Sequence, residues 1–85
     1  MKYIICYDIK EDRIRTRVVK YLEARALRVQ YSVFTCHATA AQMNDMREEL
    51  LRLTQRADRP LLMVVPQGIW MHGKPIEEEV PYLVV

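Results

Sequence analysis

Residues 3–17 read YIICYDIKEDRIRTR: an apolar run ends in a carboxylate at Asp8, and four basic residues, Lys10, Arg13, Arg15 and Arg17, follow it. A strand hands over to a helix here. Residues 2–7, rich in Ile and Tyr, are read as the strand. Asp12 stands where a cap is expected, ahead of a helix over residues 13–26. Ile14, Val18, Val19, Tyr21, Leu22 and Ala26 recur at helical spacing and mark the face to be buried, while Arg13, Arg17, Lys20 and Ala24 lie opposite. At about 100° per residue, Arg15 and Arg25 land within the apolar arc. Arg25, in the last turn, can reach water and suits the helix dipole. Arg15 sits in the first turn, close to where Asp8 leaves its strand.

The rest of the chain repeats this alternation. Residues 29–37, VQYSVFTCH, are again β-like and fit one bent strand or two short strands around a tight turn. Thr39 and Gln42 have the spacing of a capping box. In the helix they introduce, to about Gln55, Met43, Met46, Leu50 and Leu53 fall on one stripe, so the methionines read as core and not as ligands. The stretch ADRP ends that helix, and residues 61–65, LLMVV, form an uninterrupted apolar strand. Pro66, Gln67 and Gly68 read as a break. A short strand around residues 69–71, a turn at 73–75 and a last strand at 82–85 complete the chain.

The element order predicts an α/β (α+β) fold, a ferredoxin-like βαββαβ sandwich over residues 1–65, with residues 66–85 as a C-terminal strand appendage. Two helices cover one face of such a sheet. Yet YIIC and LLMVV are apolar at every position, so both faces call for burial. The economical answer is a homodimer packed sheet face to sheet face, with residues 80–85 able to pair as an added, swapped strand on the partner's sheet edge.

With 85 residues the chain suffices for one small domain. No apolar run approaches the ~18 residues that cross a bilayer, and MKYIICYDIK meets Asp8 where a signal peptide would offer small residues. Cys6 and Cys36 are too few for a disulfide framework or zinc site, and read as reduced, buried thiols of a cytoplasmic protein. The net charge of +2 is unevenly spread: residues 10–30 are basic and Glu77, Glu78 and Glu79 are acidic. That distribution fits a polyanionic partner at one end, or a solvated helix face. The acidic run either docks a partner or keeps the tail soluble.

Asp8 shares a strand side with Ile4 and Cys6. It either caps the helix and pairs a local arginine or, in a sheet-face dimer, meets its symmetry mate near the axis. Two carboxylates there would repel unless a hard divalent cation such as Mg²⁺ lay between them. The segment YDIKEDRIRTRVVKYLE, followed by LRVQYSVFTC, resembles the smaller universal subunit of the CRISPR adaptation machinery, the second family of Cas proteins. The likeness rests on an apolar strand ending Tyr-Asp-Ile, an arginine-bearing helix, and then Arg-Val-Gln-x-Ser-Val-Phe. It covers about residues 1–65.

The resemblance implies a ferredoxin-like homodimer with a swapped C-terminal strand that acts in spacer acquisition, bridging the larger adaptation integrase subunits along captured double-stranded DNA. It also implies a metal-dependent endonuclease in some members, acting on single-stranded RNA or double-stranded DNA. By position, Asp8 matches the catalytic and Mg²⁺-binding aspartate, and Arg15, Arg17 and Arg28 match arginines that contact phosphates. Tyr7, Ser32 and Phe34 fall near the same cleft, although Phe34 reads equally as a core aromatic. Thr35 stands where an acidic residue is frequent, which weakens a richer metal site. His37 and His72 are isolated, and Trp70 reads as packing. The alternative is an RNA-recognition or ligand-sensing module on the same fold without nuclease activity, against which stand the missing aromatic RNP motifs and the lack of a glycine-rich turn.

Overall fold

In the computed structural model, residues 1–67 are described in full, together with the backbone of 70–71, 74–75 and 82–83. Strand β1 (Lys2–Asp8) occupies the middle of the sheet. It runs antiparallel to β3 (Val33–His37) on one side and to β4 (Leu61–Gln67) on the other, so that Ile5 lies opposite both Phe34 and Val64. Strand β2 (Leu27–Gln30) extends the sheet beyond β3, and β7 (Tyr82–Leu83) extends it beyond β4, giving the order β2-β3-β1-β4-β7. Strands β5 (Trp70–Met71) and β6 (Lys74–Pro75) pair separately. With helices α1 (Asp12–Glu23) and α2 (Ala40–Leu53) as the crossovers, the first six elements in chain order form the ferredoxin-like sandwich.

Alternation decides which side chains go where. Tyr3, Ile5 and Tyr7 of β1 point to the helices and are buried, as are Phe34 and Cys36 of β3 and Leu62 and Val64 of β4. Val18 and Leu22 of α1 and Met43, Met46 and Leu50 of α2 close over them. On the other face, Ile4, Cys6, Val33, Thr35, Met63 and Val65 are half-buried and Asp8 is exposed. Cys6 is therefore only half-buried, because it belongs to the face that the helices leave open.

Several local readings are corrected. Residues 29–37 resolve into two strands, with β2 beginning at Leu27, a turn at Tyr31 and Ser32, and a register shift between Arg28 and Gln30. Asp12 is not the cap of α1. Glu11 holds that position without a side-chain cap bond, and the Asp12 carboxylate is drawn instead to Arg15. The Glu11 carboxylate accepts the Asp58 backbone N–H at 2.8 Å, joining the β1–α1 turn to the α2–β4 loop. The capping box of α2 is formed: Gln42 N–H donates to Thr39 Oγ1 at 3.1 Å and Thr39 N–H to Gln42 Oε1 at 2.9 Å. That helix stops at Leu53, short of Gln55, where the Thr54 hydroxyl donates back to the Leu50 carbonyl at 2.8 Å.

Pro66 and Gln67 do not break the strand. Both stay in β4 opposite Tyr3 and Lys2, and Pro66 lies beyond the Met63–Val64 segment that β7 covers, where an edge tolerates a missing N–H. Within the single chain, Tyr82 and Leu83 pair with β4 of the same molecule. Gly68, His72, Gly73, the Glu77–Glu79 run and residues 84–85 lie outside the described residues, as does the Trp70 side chain.

Candidate functional site

At the C-terminal end of β1, Tyr7, Asp8, Ile9, Arg15, Tyr31 and Ser32 line a recess of about 240 Å³. The backbone of Tyr7 fixes its back wall, since its N–H donates to the Ser32 carbonyl at 3.2 Å. The Tyr7 ring stacks on Phe34 at 6.3 Å between centroids, and its hydroxyl donates to the Tyr31 carbonyl at 3.3 Å. Strand alternation then turns Asp8 to the opposite, open face, where it lies across from Leu61. Among the described residues, no ion pair engages the Asp8 carboxylate.

The arginines around the recess are already at work. Arg15 Nη1 donates to the Ile9 carbonyl at 2.8 Å and Nη2 pairs with Asp12, so its side chain braces the turn that follows Asp8. That hydrogen bond to Asp12 raises the pKa of Arg15 above its ordinary value. Arg28 donates from Nε and Nη2 to the Tyr31 carbonyl at 3.1 and 2.7 Å. Its guanidinium carbon lies 5.3 Å from the Tyr31 ring centroid and 5.6 Å from that of Phe34. Burial pushes the Tyr7 phenol up, and the nearby positive charge of Arg28 pulls against that shift.

Of the residues picked from sequence, Tyr7, Asp8, Arg15 and Ser32 meet in one recess. Arg28 stands behind it, bound to the turn. Phe34 has no exposed surface, so it supports Tyr7 from within the core and does not line the opening. Arg17 is elsewhere: it lines a groove between the two helices with Arg13, Arg52 and Arg56. Tyr31, 73% exposed, belongs to the recess and was missed by sequence reasoning, whose only signal for it was a turn of undecided position. His37 is exposed at the far end of β3, beside Tyr21, Arg25 and Asp45, away from Asp8. Among the described residues, no three His, Cys, Asp or Glu side chains gather as a metal site.

Residues 1–72 match the family model described as CRISPR associated protein Cas2. The chain belongs to the Cas2 family. A relative from Methanospirillum hungatei, named CRISPR-associated endoribonuclease Cas2 1, is 32% identical over 92% of this chain and 84% of its own length. Two other curated Cas2 relatives are matched over only 58% and 64% of their lengths. Among solved structures, hypothetical protein TT1823 from Thermus thermophilus superposes with a TM-score of 0.71 at 27% identity, covering 95% of this chain and 96% of that one. Streptococcus pyogenes Cas2 superposes at 0.69 and 23% identity, covering 80% and 87%, a likeness of fold. The Cas2 match agrees with the sequence motifs, since the Tyr-Asp-Ile and Ser-Val-Phe segments both fall inside the matched residues. No helix among the described residues is long and apolar enough to cross a membrane.

Proposed function

We propose that this Cas2 chain works in the cytoplasm in CRISPR adaptation as a homodimer that binds nucleic-acid backbone and bridges the larger integrase subunits, with phosphodiester hydrolysis centred on Asp8. The observation that carries the reading is the position of Asp8. It is a carboxylate without an ion pair among the described residues, set on the sheet face that the helices leave open. Half-buried Ile4, Cys6, Val33, Met63 and Val65 form an apolar patch in the middle of that face, with Thr35 beside it, and Leu61 adds an exposed leucine opposite Asp8. A second copy laid on it would remove this surface from water and bring two Asp8 side chains together. Exchange of the strand at Tyr82–Leu83 between copies is part of the same proposal, because the edge of β4 that accepts it is identical in both.

One chain offers one carboxylate, which alone does not hold Mg²⁺. Two facing Asp8 carboxylates, completed by waters and a phosphate oxygen, match that ion's demand for hard oxygen donors. Bound there, it would activate a water and offset the charge building on phosphorus. The protein's own part is positional. Arg15 braces the turn after Asp8 through Asp12 and the Ile9 carbonyl. Ser32 lines the recess with Asp8 and Arg15, and the Tyr7–Phe34 stack backs its wall. The endoribonuclease names of the relatives support a nuclease reading.

The test measures cleavage of labelled single-stranded RNA and double-stranded DNA with Mg²⁺, comparing wild type with Asp8→Asn under a chelator control. Sedimentation of both proteins runs alongside. Metal-dependent cutting that disappears in Asp8→Asn, with a dimer in both, supports the full reading. If neither cuts while both bind DNA as dimers, the hydrolytic part is wrong and the bridging part stands. A monomer at micromolar concentration removes the paired-carboxylate site.

A further inference from the structure

The fold uses the backbone of Tyr31 and leaves its ring in solvent. The residue stands in the turn between β2 and β3, where turn geometry favours glycine, asparagine, aspartate or serine. Its side chain is 73% exposed and is not among those packed against the core. The carbonyl, by contrast, accepts the Tyr7 hydroxyl at 3.3 Å and two N–H groups of Arg28 at 3.1 and 2.7 Å. Any residue would supply that oxygen. These bonds fix where residue 31 sits and do not explain why it is a tyrosine, and a local preference broken without a gain in packing points to function.

The ring has a defined place all the same. It lines the recess with Asp8, Arg15 and Ser32. The anchored carbonyl ties it to β1 through Tyr7 and to β2 through Arg28. The Arg28 guanidinium carbon lies 5.3 Å from the ring centroid, and among the described residues no aromatic ring stacks on it. Arg28 is opposite Phe34 in the register, on the helix side of the sheet. Tyr31 beside it is therefore outside the face that a second copy would cover. The recess itself holds about 240 Å³, less than the ~300–1,000 Å³ that encloses a whole small molecule. What enters it is one part of a longer chain, and the remainder passes over the rim.

We propose that Tyr31 is a specificity-determining residue of the Asp8 recess, its ring stacking on the unpaired nucleobase next to the phosphate that the recess receives. The inference rests on the nucleic-acid reading above and adds selection by strandedness. In a duplex the bases are paired and stacked on one another, so none is offered to the ring, whereas an unpaired base can swing onto it. Every base has a π-face, so such a contact is tolerant of sequence and of the sugar that carries the base.

The experiment measures affinities for Asp8→Asn protein, which leaves the strands uncut, and for the same protein carrying Tyr31→Leu or Tyr31→Trp, with circular dichroism confirming folding. The probes are a single-stranded oligoribonucleotide, its deoxyribose counterpart, the deoxyribose strand with every base omitted, and a duplex. Tyr31→Leu should bind both base-bearing single strands about tenfold more weakly and the other two probes as before. Tyr31→Trp should bind the single strands at least as tightly as the parent. Equal losses on all four probes, or a loss that tryptophan fails to recover, would make the ring a structural element and overturn the inference. Unchanged affinity in Tyr31→Leu, or a loss confined to one sugar, overturns it too while leaving nucleic-acid binding intact. If the parent binds none of the probes, the nucleic-acid reading falls and this inference falls with it.

Discussion

The guanidinium of Arg28 grips the carbonyl oxygen of Tyr31 with two N–H groups, at 3.1 Å from Nε and 2.7 Å from Nη2. The same oxygen accepts the Tyr7 hydroxyl. One carbonyl in the β2–β3 turn therefore gathers donors from two strands, and Arg28 also covers the Phe34 ring. Arg28→Gln should cost about 1 kcal/mol in urea unfolding, the usual worth of a hydrogen bond from a charged donor after solvent exposure is allowed for. Arg28→Lys should recover little of that, because a single ammonium cannot replace a planar fork. Full recovery by lysine would mean that charge alone matters at this position.

The two helices begin differently, and the difference is measurable. Thr39→Ala removes the hydroxyl that accepts the Gln42 N–H, the half of the α2 capping box that a side chain supplies at position 39, and should lower stability by about 1 kcal/mol. Asp12→Ala removes no cap. It breaks an exposed pair with Arg15 and should cost clearly less than the Thr39 change. Thermal unfolding of the two variants, read at the wild-type midpoint, gives the comparison directly. Equal losses would show that Asp12 supports α1 as a cap after all.

Alkaline pH should destabilise the fold. Burial pushes up the thiols of Cys6 and Cys36 and the phenol of Tyr7, with the N-terminal ammonium opposing the shift at Cys36 and Arg28 opposing it at Tyr7. The unfolded chain loses these protons first, so their contribution is complete below the ordinary thiol range and falls away as pH rises past about 8.5 and then 10. Urea midpoints at pH 7, 9 and 10 should decline in that order. In Cys6→Ser/Cys36→Ala the decline between pH 7 and 9 should flatten. A midpoint that does not move across this range would contradict the burial assigned to these groups.

The strand faces were legible because period-two alternation fixes a side once one residue is known to be buried: Tyr3, Ile5 and Tyr7 inward puts Asp8 outward. The partner of Arg15 was not legible. Asp8 and Asp12 are both near it in sequence, and only the path of the turn brings Asp12 to its guanidinium. Tyr31 escaped notice because VQYSVFTCH reads equally as one strand or two, and its exposure follows from the hairpin alone. The convergence of Arg17 with Arg52 and Arg56 was likewise hidden, since no periodicity along either helix reports which flank meets the other. Helix packing supplies that.

Strand β1 is the first element in the chain and the centre of the sheet, pairing with residues up to His37 on one side and Gln67 on the other. Strand β1 must therefore wait until Leu61–Gln67 has been made before its second hydrogen-bonding edge is filled. Such distant pairing slows folding. In the meantime YIICYD is a bare, sticky template, and a nascent chain whose synthesis stalls before Leu61 is a natural client for a chaperone.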